Sequence, residues 1–483
     1  MRKRNKMEDK MFRNRDFLAN RAGKLFIEGV NSETLAEKFS TPLYVYSETR
    51  IRSNIQRLKN ALQKYIPHHQ LYYAVKANSN LSVLSIIRSE GLGADASCIA
   101  EVELAKRVRF SQEKILYSGI YHSDTELQQG LQHKVAFNFD ALSSALRCLK
   151  FGKPPLFSMR VNPGMGDGKF SGLVFAGPEA KFGVEADDAV AAYRAAKKAG
   201  VKRFGLHMMT GSGVLNPKYF PAITAKLMEI ATRIVKEVGI EFEFIDIGGG
   251  LGIPYSPKEK PLPIDWIIKN IAKTFTAAVK KNKLGNPKLM LEPGRYLVGD
   301  AGVLLTKVHT LKRMYGKNFV GVDAGMQTLV RPAMYGAYHE ILNASDLNQN
   351  KKEKVSVVGP ACENTDQFAK GRILPKIVEG DLVAILDVGS YGFVMSSQYN
   401  NRARPAEILV KGKEARIIRE RETLSEIIGK QTLPKYLQKG KPKPIRAFSG
   451  NSLVNLLEVV EWITRNFSAL RSKSLQGIAK ASQ

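Results

Sequence analysis

Apolar and polar positions change their period along the chain. From about residue 48 to 295, short apolar runs alternate with longer segments of helical spacing. The runs are LYYAV (71–75), LGADA (92–96), KILYSG (114–119), VAFNF (135–139), LFSMRV (156–161), RFGLHM (203–208), FEFIDI (242–247) and KLMLE (288–292), each five or six residues long. Runs of that length, apolar and set off by polar or glycine-rich sequence, read as buried strands. Among the helical segments, 180–200 ends on Gly200, where a helix C′ residue belongs. Eight strands mostly separated by helices, within roughly 250 residues, predict a (β/α)8 barrel. An open doubly wound sheet is the alternative, but no G-x-G-x-x-G opens a helix after the first strand.

After about residue 300 the period becomes two. GVLLTKVHTLKR, NFVGVDAG, KVSVVGP, LVAILDVG, AEILVKG and EARIIRE follow one another without long helices between them. They predict an all-β domain. Two earlier strands, KLFIEG and PLYVYS, precede the barrel and are expected to join that domain. The expected organisation is thus a basic extension (1–24), two strands (25–47), the barrel (48–300), the β domain (301–436) and a tail (437–483). In the tail, a basic proline-containing linker leads to Leu453, Leu456, Leu457, Val460, Ile463, Phe467 and Leu470 at helical spacing. A helix over 452–471 docked on its own protein is the plainer reading, and a partner or membrane-surface helix the other.

Composition narrows the function classes. The chain has 483 residues, 44% of them hydrophobic, enough for a large core. No apolar run approaches the roughly 18 residues of a membrane span. The basic N-terminus is not followed by the apolar core of a secretory signal, and Glu8, Asp9 and Asp16 argue against a transit peptide. Cys98, Cys148 and Cys362 are too few and too scattered for a disulfide framework or a metal site, so a reducing cytoplasm is expected. Net charge is +29, and both ends are basic: nine basic and three acidic residues in 1–24, nine and two in 435–483. No nucleic-acid motif accompanies that charge, so no nucleic-acid partner is expected. An anionic substrate and cofactor would suit the basic body.

Three strand ends carry candidate chemistry, and barrel enzymes work at the C-terminal ends of their strands. Lys76 ends LYYAVK. It either snorkels to solvent or serves as a desolvated amine for a Schiff base. Gly248, Gly249 and Gly250 follow FIDI. They make either a tight turn or a phosphate cradle of backbone N–H groups. Glu292 precedes Pro293, Gly294 and Arg295. A carboxylate there can hold a proton on a heteroaromatic nitrogen, and an arginine can bind an anion. Together the three suit pyridoxal 5′-phosphate, which needs an imine-forming amine, a phosphate site and an acid partner for its ring nitrogen.

The motifs YYAVKANSN, FIDIGGGLGIPY, LEPGRYLVG, GPACENTDQFAK and SYGFVMSSQYNNRARPAEILV resemble the fold-type III pyridoxal-phosphate decarboxylases. Within them the likeness is strongest to the branch acting on diaminopimelate. It covers about residues 25–430 and implies a barrel plus β-domain homodimer with composite active sites. By that likeness Lys76 is the Schiff-base lysine. Ser212, Gly248, Gly249, Gly250 and Tyr391 are phosphate contacts, and Glu292 is the ring-nitrogen partner, with Gly294 and Arg295 completing its motif. Cys362 and Glu363 reach across the dimer, the cysteine as the acid that returns a proton to the α-carbon. Alone, Cys362 would read as an inert core thiol.

The likeness also addresses substrate choice. Arg331 and Tyr335, in RPAMY, match the residues that bind the substrate's distal end. With Arg295 they would bind a second carboxylate, which Tyr391 and Glu363 help to enclose. Surface salt-bridging by Arg331 is the plainer alternative. The implied reaction converts meso-2,6-diaminopimelate to L-lysine and carbon dioxide. A related decarboxylase acting on carboxynorspermidine or a basic amino acid is the alternative. One position departs from the family. Where its members carry His-x-His, this chain reads His207-Met208-Met209, so a thioether takes the place of the imidazole that lies on the cofactor ring.

Overall fold

The computed structural model describes residue 12, residues 15–168 and residues 175–437. The expected tail helix therefore lies outside the described residues. Eight parallel strands close into a barrel: His69–Ala74, Gly93–Ala96, Ile115–Tyr117, Ala136–Phe139, Phe157–Arg160, Phe204–His207, Phe244–Asp246 and Lys288–Leu291. The last pairs with the first, Leu291 opposite Leu71, which closes the ring and excludes the open sheet.

Strand periodicity decides what fills the barrel. Side chains two apart share a face. Low in the barrel, Tyr72, Leu116, Leu156, Phe244 and Met290 form an apolar cluster. Gly93 and Gly205 make room for it: a Cβ on either would lie 2.5 Å or 2.2 Å from the ring of Tyr72 or Phe244. Two residues further along several of these strands the chemistry changes. Phe244 gives way to Asp246, Met290 to Glu292, Gly205 to His207 and Gly93 to Asp95. All four polar residues are buried. The aromatic plug below thus shuts water out and leaves a layer of ionisable groups at the C-terminal mouth.

Amphipathic helices jacket the barrel and bury their apolar stripes on it. Three have polar N-caps that fix where they begin: Ser47 before Glu48–Tyr65, Asn80 before Leu81–Ser89 and Ser123 before Asp124–His133. The helix expected over 180–200 occupies only Ala186–Lys198, followed by Gly200 at φ +86°. Gly183, at φ +75°, packs on the backbone of Arg160 and Val161 and keeps the preceding residues out of the helix.

The second layer is a nine-stranded sheet built around the long strand Gly302–Met314. That strand pairs with Leu43–Ser47, Lys317–Val322 and Leu382–Leu386. Lys24–Ile27, expected in the same sheet, instead pairs with Leu18–Arg21 and Val30–Asn31 in a small sheet of its own. Its Leu25 and Ile27 nonetheless share a core with Leu43, Val303 and Leu386. Ile341–Asn343 and Gln367–Pro375 are strands that the apolar pattern does not reveal. Residues 422–437 belong to a separate unit and hold a short α-helix, Leu424–Ile428, opened by a capping box at Thr423, and a 3-10 turn, Lys435–Leu437. No described helix is long and apolar enough to cross a membrane.

Candidate active site

A cavity of about 320 Å³ opens at the C-terminal mouth of the barrel. Lys76, Ser212, Arg295, Arg331, Tyr335 and Tyr391 line it, which brings six of the expected site residues together. Lys76 enters from a 3-10 turn, Val75–Ala77, immediately after the first strand. Its Nζ donates to Asp95 Oδ2 at 2.9 Å. Burial works against the ammonium charge, but Asp95, Tyr391 and Glu292 outweigh it and hold Lys76 above the usual lysine range.

Glu292 sits below the cavity rather than on its wall. It is 4% exposed, and its Oε2 lies 3.0 Å from Nε2 of His207. Burial would raise its pKa, yet His207 above all pulls it down to about 2. Asp246 is fully buried beside it and accepts the Gly248 N–H at 2.7 Å. Burial and then Glu292 push Asp246 well above the usual carboxyl range. Asp246 and Glu292 thus form a close buried pair whose two pKa values are driven apart.

The triple glycine packs on this floor. Gly248 and Gly250 adopt φ +73° and +88°. A Cβ on Gly248 would meet the Met208 carbonyl at 2.4 Å, so both conformation and space require glycine. The Gly249 N–H points to Met209 Sδ at 3.3 Å. Met209, a wall of the cavity, is therefore anchored by its own sulfur.

On the opposite side two arginines flank one phenol. Arg295 is buried, donates to Tyr255 Oη at 2.6 Å and reaches Ser212 Oγ at 3.2 Å. Arg331 is buried with its guanidinium carbon 4.6 Å from the Tyr255 ring centre. Among the described residues, neither arginine has a carboxylate within ion-pair distance. Burial alone would push Tyr255 up, but Arg295 and Arg331 hold it below the usual phenol range. Tyr391 comes from the β domain at φ +53°, its N–H on the Ala77 carbonyl at 2.8 Å. Its ring lies 4.7 Å from the Arg295 guanidinium carbon.

Cys362 and Glu363 are exposed and line no part of this cavity. Glu363 borders a separate hollow with Lys312 and Phe319. Gly294 lies on the barrel side, where a Cβ would press on Ala77 at 2.8 Å.

Residues 50–299 match the family model described as pyridoxal-dependent decarboxylase, pyridoxal binding domain. The diaminopimelate decarboxylase of Methanothermobacter thermautotrophicus is 45% identical over 425 residues, 88% of this chain and 99% of that one. The diaminopimelate decarboxylase of Archaeoglobus fulgidus is 40% identical, over 86% and 98%. The crystal structure of the M. jannaschii diaminopimelate decarboxylase with L-lysine superposes with a TM-score of 0.80 at 36% identity, over 88% and 99%. The chain belongs to the diaminopimelate decarboxylases, within the pyridoxal-dependent decarboxylase family.

Membership brings pyridoxal 5′-phosphate, and the residues present fit it. An amine, Lys76, faces the cavity. Oε1 of the ionised Glu292 is buried and receives no N–H from the described residues, so it can accept one from a ring nitrogen. The Nε of Arg295 is likewise buried and unpartnered beside Ser212, which suits an anionic group. Asp95, Asp246 and Arg160 were not singled out by the sequence, nor were Tyr255 and His339. Arg160 is half-buried in the cavity wall and donates to the carbonyls of Phe175 and Met209 at 3.3 Å and 3.1 Å. The period-two continuation past the apolar plug is the signal that would have found Asp95, Asp246 and Arg160.

Proposed function

We infer that this protein decarboxylates meso-2,6-diaminopimelate to L-lysine and carbon dioxide. The observation that carries this reading is the pair of buried arginines, Arg295 and Arg331, with no carboxylate among the described residues within ion-pair distance. Burying two guanidinium groups is costly unless an anion joins them. A substrate with a distal carboxylate completes that site, whereas the terminal ammonium of lysine or ornithine would be repelled. The L-lysine in the related M. jannaschii structure supports the same reading.

When bound, pyridoxal 5′-phosphate supplies an electron sink for the pair left as carbon dioxide departs. The protein's residues do the rest. Lys76 is the amine that carries the cofactor, and Asp95 steadies its charge when it is free. Glu292, kept anionic by His207 and Asp246, holds a proton on the ring nitrogen. Ser212, Gly248, Gly249, Gly250 and Tyr391 bind the phosphate. Arg295, Arg331 and Tyr335 orient the distal carboxylate, which fixes the α-carboxylate that leaves. Cys362, with Glu363, comes from a second copy of the chain, and its Sγ returns a proton to the α-carbon. The active form is thus a homodimer, and three unpaired cysteines suit a reducing cytoplasm.

The test is carbon dioxide release with diaminopimelate, lysine, ornithine and carboxynorspermidine side by side. Diaminopimelate should be turned over with by far the highest kcat/KM. Preference for any of the other three would reject the assignment.

A further inference from the structure

We propose that His339 is the positioning residue of the distal-carboxylate site, a neutral imidazole that holds Arg331 in place while leaving its charge for the substrate. The inference rests on the reading that Arg331 binds the second carboxylate.

His339 is fully buried behind the cavity wall. Its Nδ1 lies 2.8 Å from the Leu386 carbonyl, and a carbonyl only accepts, so Nδ1 carries the hydrogen. Nε2 lies 2.9 Å from Nη1 of Arg331, and a guanidinium only donates, so Nε2 presents its lone pair. The two contacts together fix one tautomer and no net charge. Leu386 belongs to a central strand of the β sheet, paired to Val303, so the imidazole is mounted on a rigid element. Its ring meets the edge of Tyr255 at 5.3 Å and 76°, and Arg331 lies over that same phenol. Arg331 is thus gripped from the side by an acceptor and from below by an aromatic face.

The identity of the acceptor matters. A carboxylate in this place would orient Arg331 as firmly, but would neutralise it and compete with the substrate. An apolar side chain would leave a buried N–H without a partner and free the guanidinium to turn. Imidazole avoids both. Burial and then Arg331 hold its pKa well below the usual histidine range, so it stays neutral at working pH. Arg372 adds to this, donating to the His339 carbonyl at 2.6 Å.

The experiment compares His339→Gln, His339→Leu, His339→Glu and Arg331→Ala in the full-length holoenzyme. Steady-state kinetics with diaminopimelate are run beside thermal melting with and without L-lysine and diaminopimelate. Glutamine keeps a neutral acceptor, so KM should stay within about threefold of wild type. Leucine should raise KM about tenfold, and glutamate about 30-fold or more, each with a much smaller change in kcat. In the glutamate variant diaminopimelate should also lose its thermal shift. A merely structural histidine would instead lower melting temperature and kcat in all three variants, without that order in KM, and this would overturn the proposal. If the glutamate variant fails to fold, equal KM for the glutamine and leucine variants overturns it, and a clear difference upholds it. If Arg331→Ala raises KM about 30-fold while His339→Glu does not, the positioning role alone fails. If Arg331→Ala leaves KM unchanged, the substrate reading itself fails and takes this role with it.

Discussion

Glu292 shows how far a side chain's chemistry is set by its neighbours. Its folded-state pKa of about 2 lies below the about 4.3 of an unfolded glutamate. The ionised form therefore stabilises the fold above about pH 4, by about 3 kcal/mol, and this is lost as pH falls toward 2. His207→Gln removes the largest pull on that pKa. The acid limb of unfolding, followed at fixed denaturant, should then shift to higher pH by about one unit. Coincident acid limbs would mean that His207 does not hold the anion. At the other end of the cavity, Arg331→Ala should cost diaminopimelate about 2–5 kcal/mol of binding, roughly 30-fold to several-thousand-fold in KM. Lysine has no distal carboxylate to lose, so the ratio of kcat/KM for diaminopimelate over lysine should collapse. If both constants fall together, Arg331 is structural. Lys76 and Glu292 stood out in the sequence because each carries a charge that its local motif leaves unexplained, whereas Arg331 was reached through the family likeness. Asp95, Asp246 and His339 were hidden because an acid or histidine near a strand end reads as ordinary solvent-facing polarity. Only the closed barrel and the β sheet behind it put them in the dark.

Element by element, the barrel was readable because each of its strands is a short apolar run bounded by polar or glycine-rich sequence. Gln367–Pro375 was not, since Lys370, Gly371 and Arg372 interrupt its alternation, and Ile341–Asn343 is too short to show any. The basic N-terminal stretch read as an extension ahead of the folded domains, and within it Arg15 is 3% exposed. Its guanidinium pairs with Asp387 through two hydrogen bonds of 2.9 Å and 2.6 Å. Asp387 is itself buried at φ +62° and opens the segment that ends on Tyr391. That segment docks on the barrel through Asn78 Nδ2 to the Gly389 carbonyl at 3.1 Å. Arg15 is thus a buttress for the loop that delivers Tyr391. Arg15→Ala strands a buried carboxylate and should cost about 3–5 kcal/mol of stability at neutral pH. Burial first, then nearby acids, push the Asp387 pKa up, and Arg15 opposes this. Without Arg15 the carboxylate takes a proton more readily, so the penalty should shrink as pH is lowered. Denaturant unfolding of both proteins at neutral and mildly acidic pH measures it. A penalty independent of pH would show that Asp387 is not the group left uncompensated.

At the scale of the whole molecule the expected acid for the α-carbon, Cys362, lines no part of the cavity. Cys362 is exposed, but hydrogen bonds hold the loop that presents it. Buried Asp366 accepts the N–H groups of Met326 and Ala361 at 2.6 Å and 2.8 Å, and the Cys362 N–H is held by Asn400 Oδ1 at 2.8 Å. In the proposed dimer a second copy of the chain would receive this thiol, which lines no part of its own cavity. In that proposed dimer symmetry requires the reverse contact as well, which would give two composite sites. Lys76→Ala and Cys362→Ala should each be inactive alone for different reasons, one lacking the carrier amine and the other the returning proton. Mixed and allowed to exchange subunits, they form hybrids in which one site has both residues and the other has neither. Random pairing of equal amounts makes about half the dimers hybrid, so about a quarter of the wild-type activity should return. The recovered activity should also grow at the rate of subunit exchange, followed independently by energy transfer between labelled chains. Exchange without recovery would mean that the lysine and the cysteine serve the same chain, and the composite site would have to be abandoned.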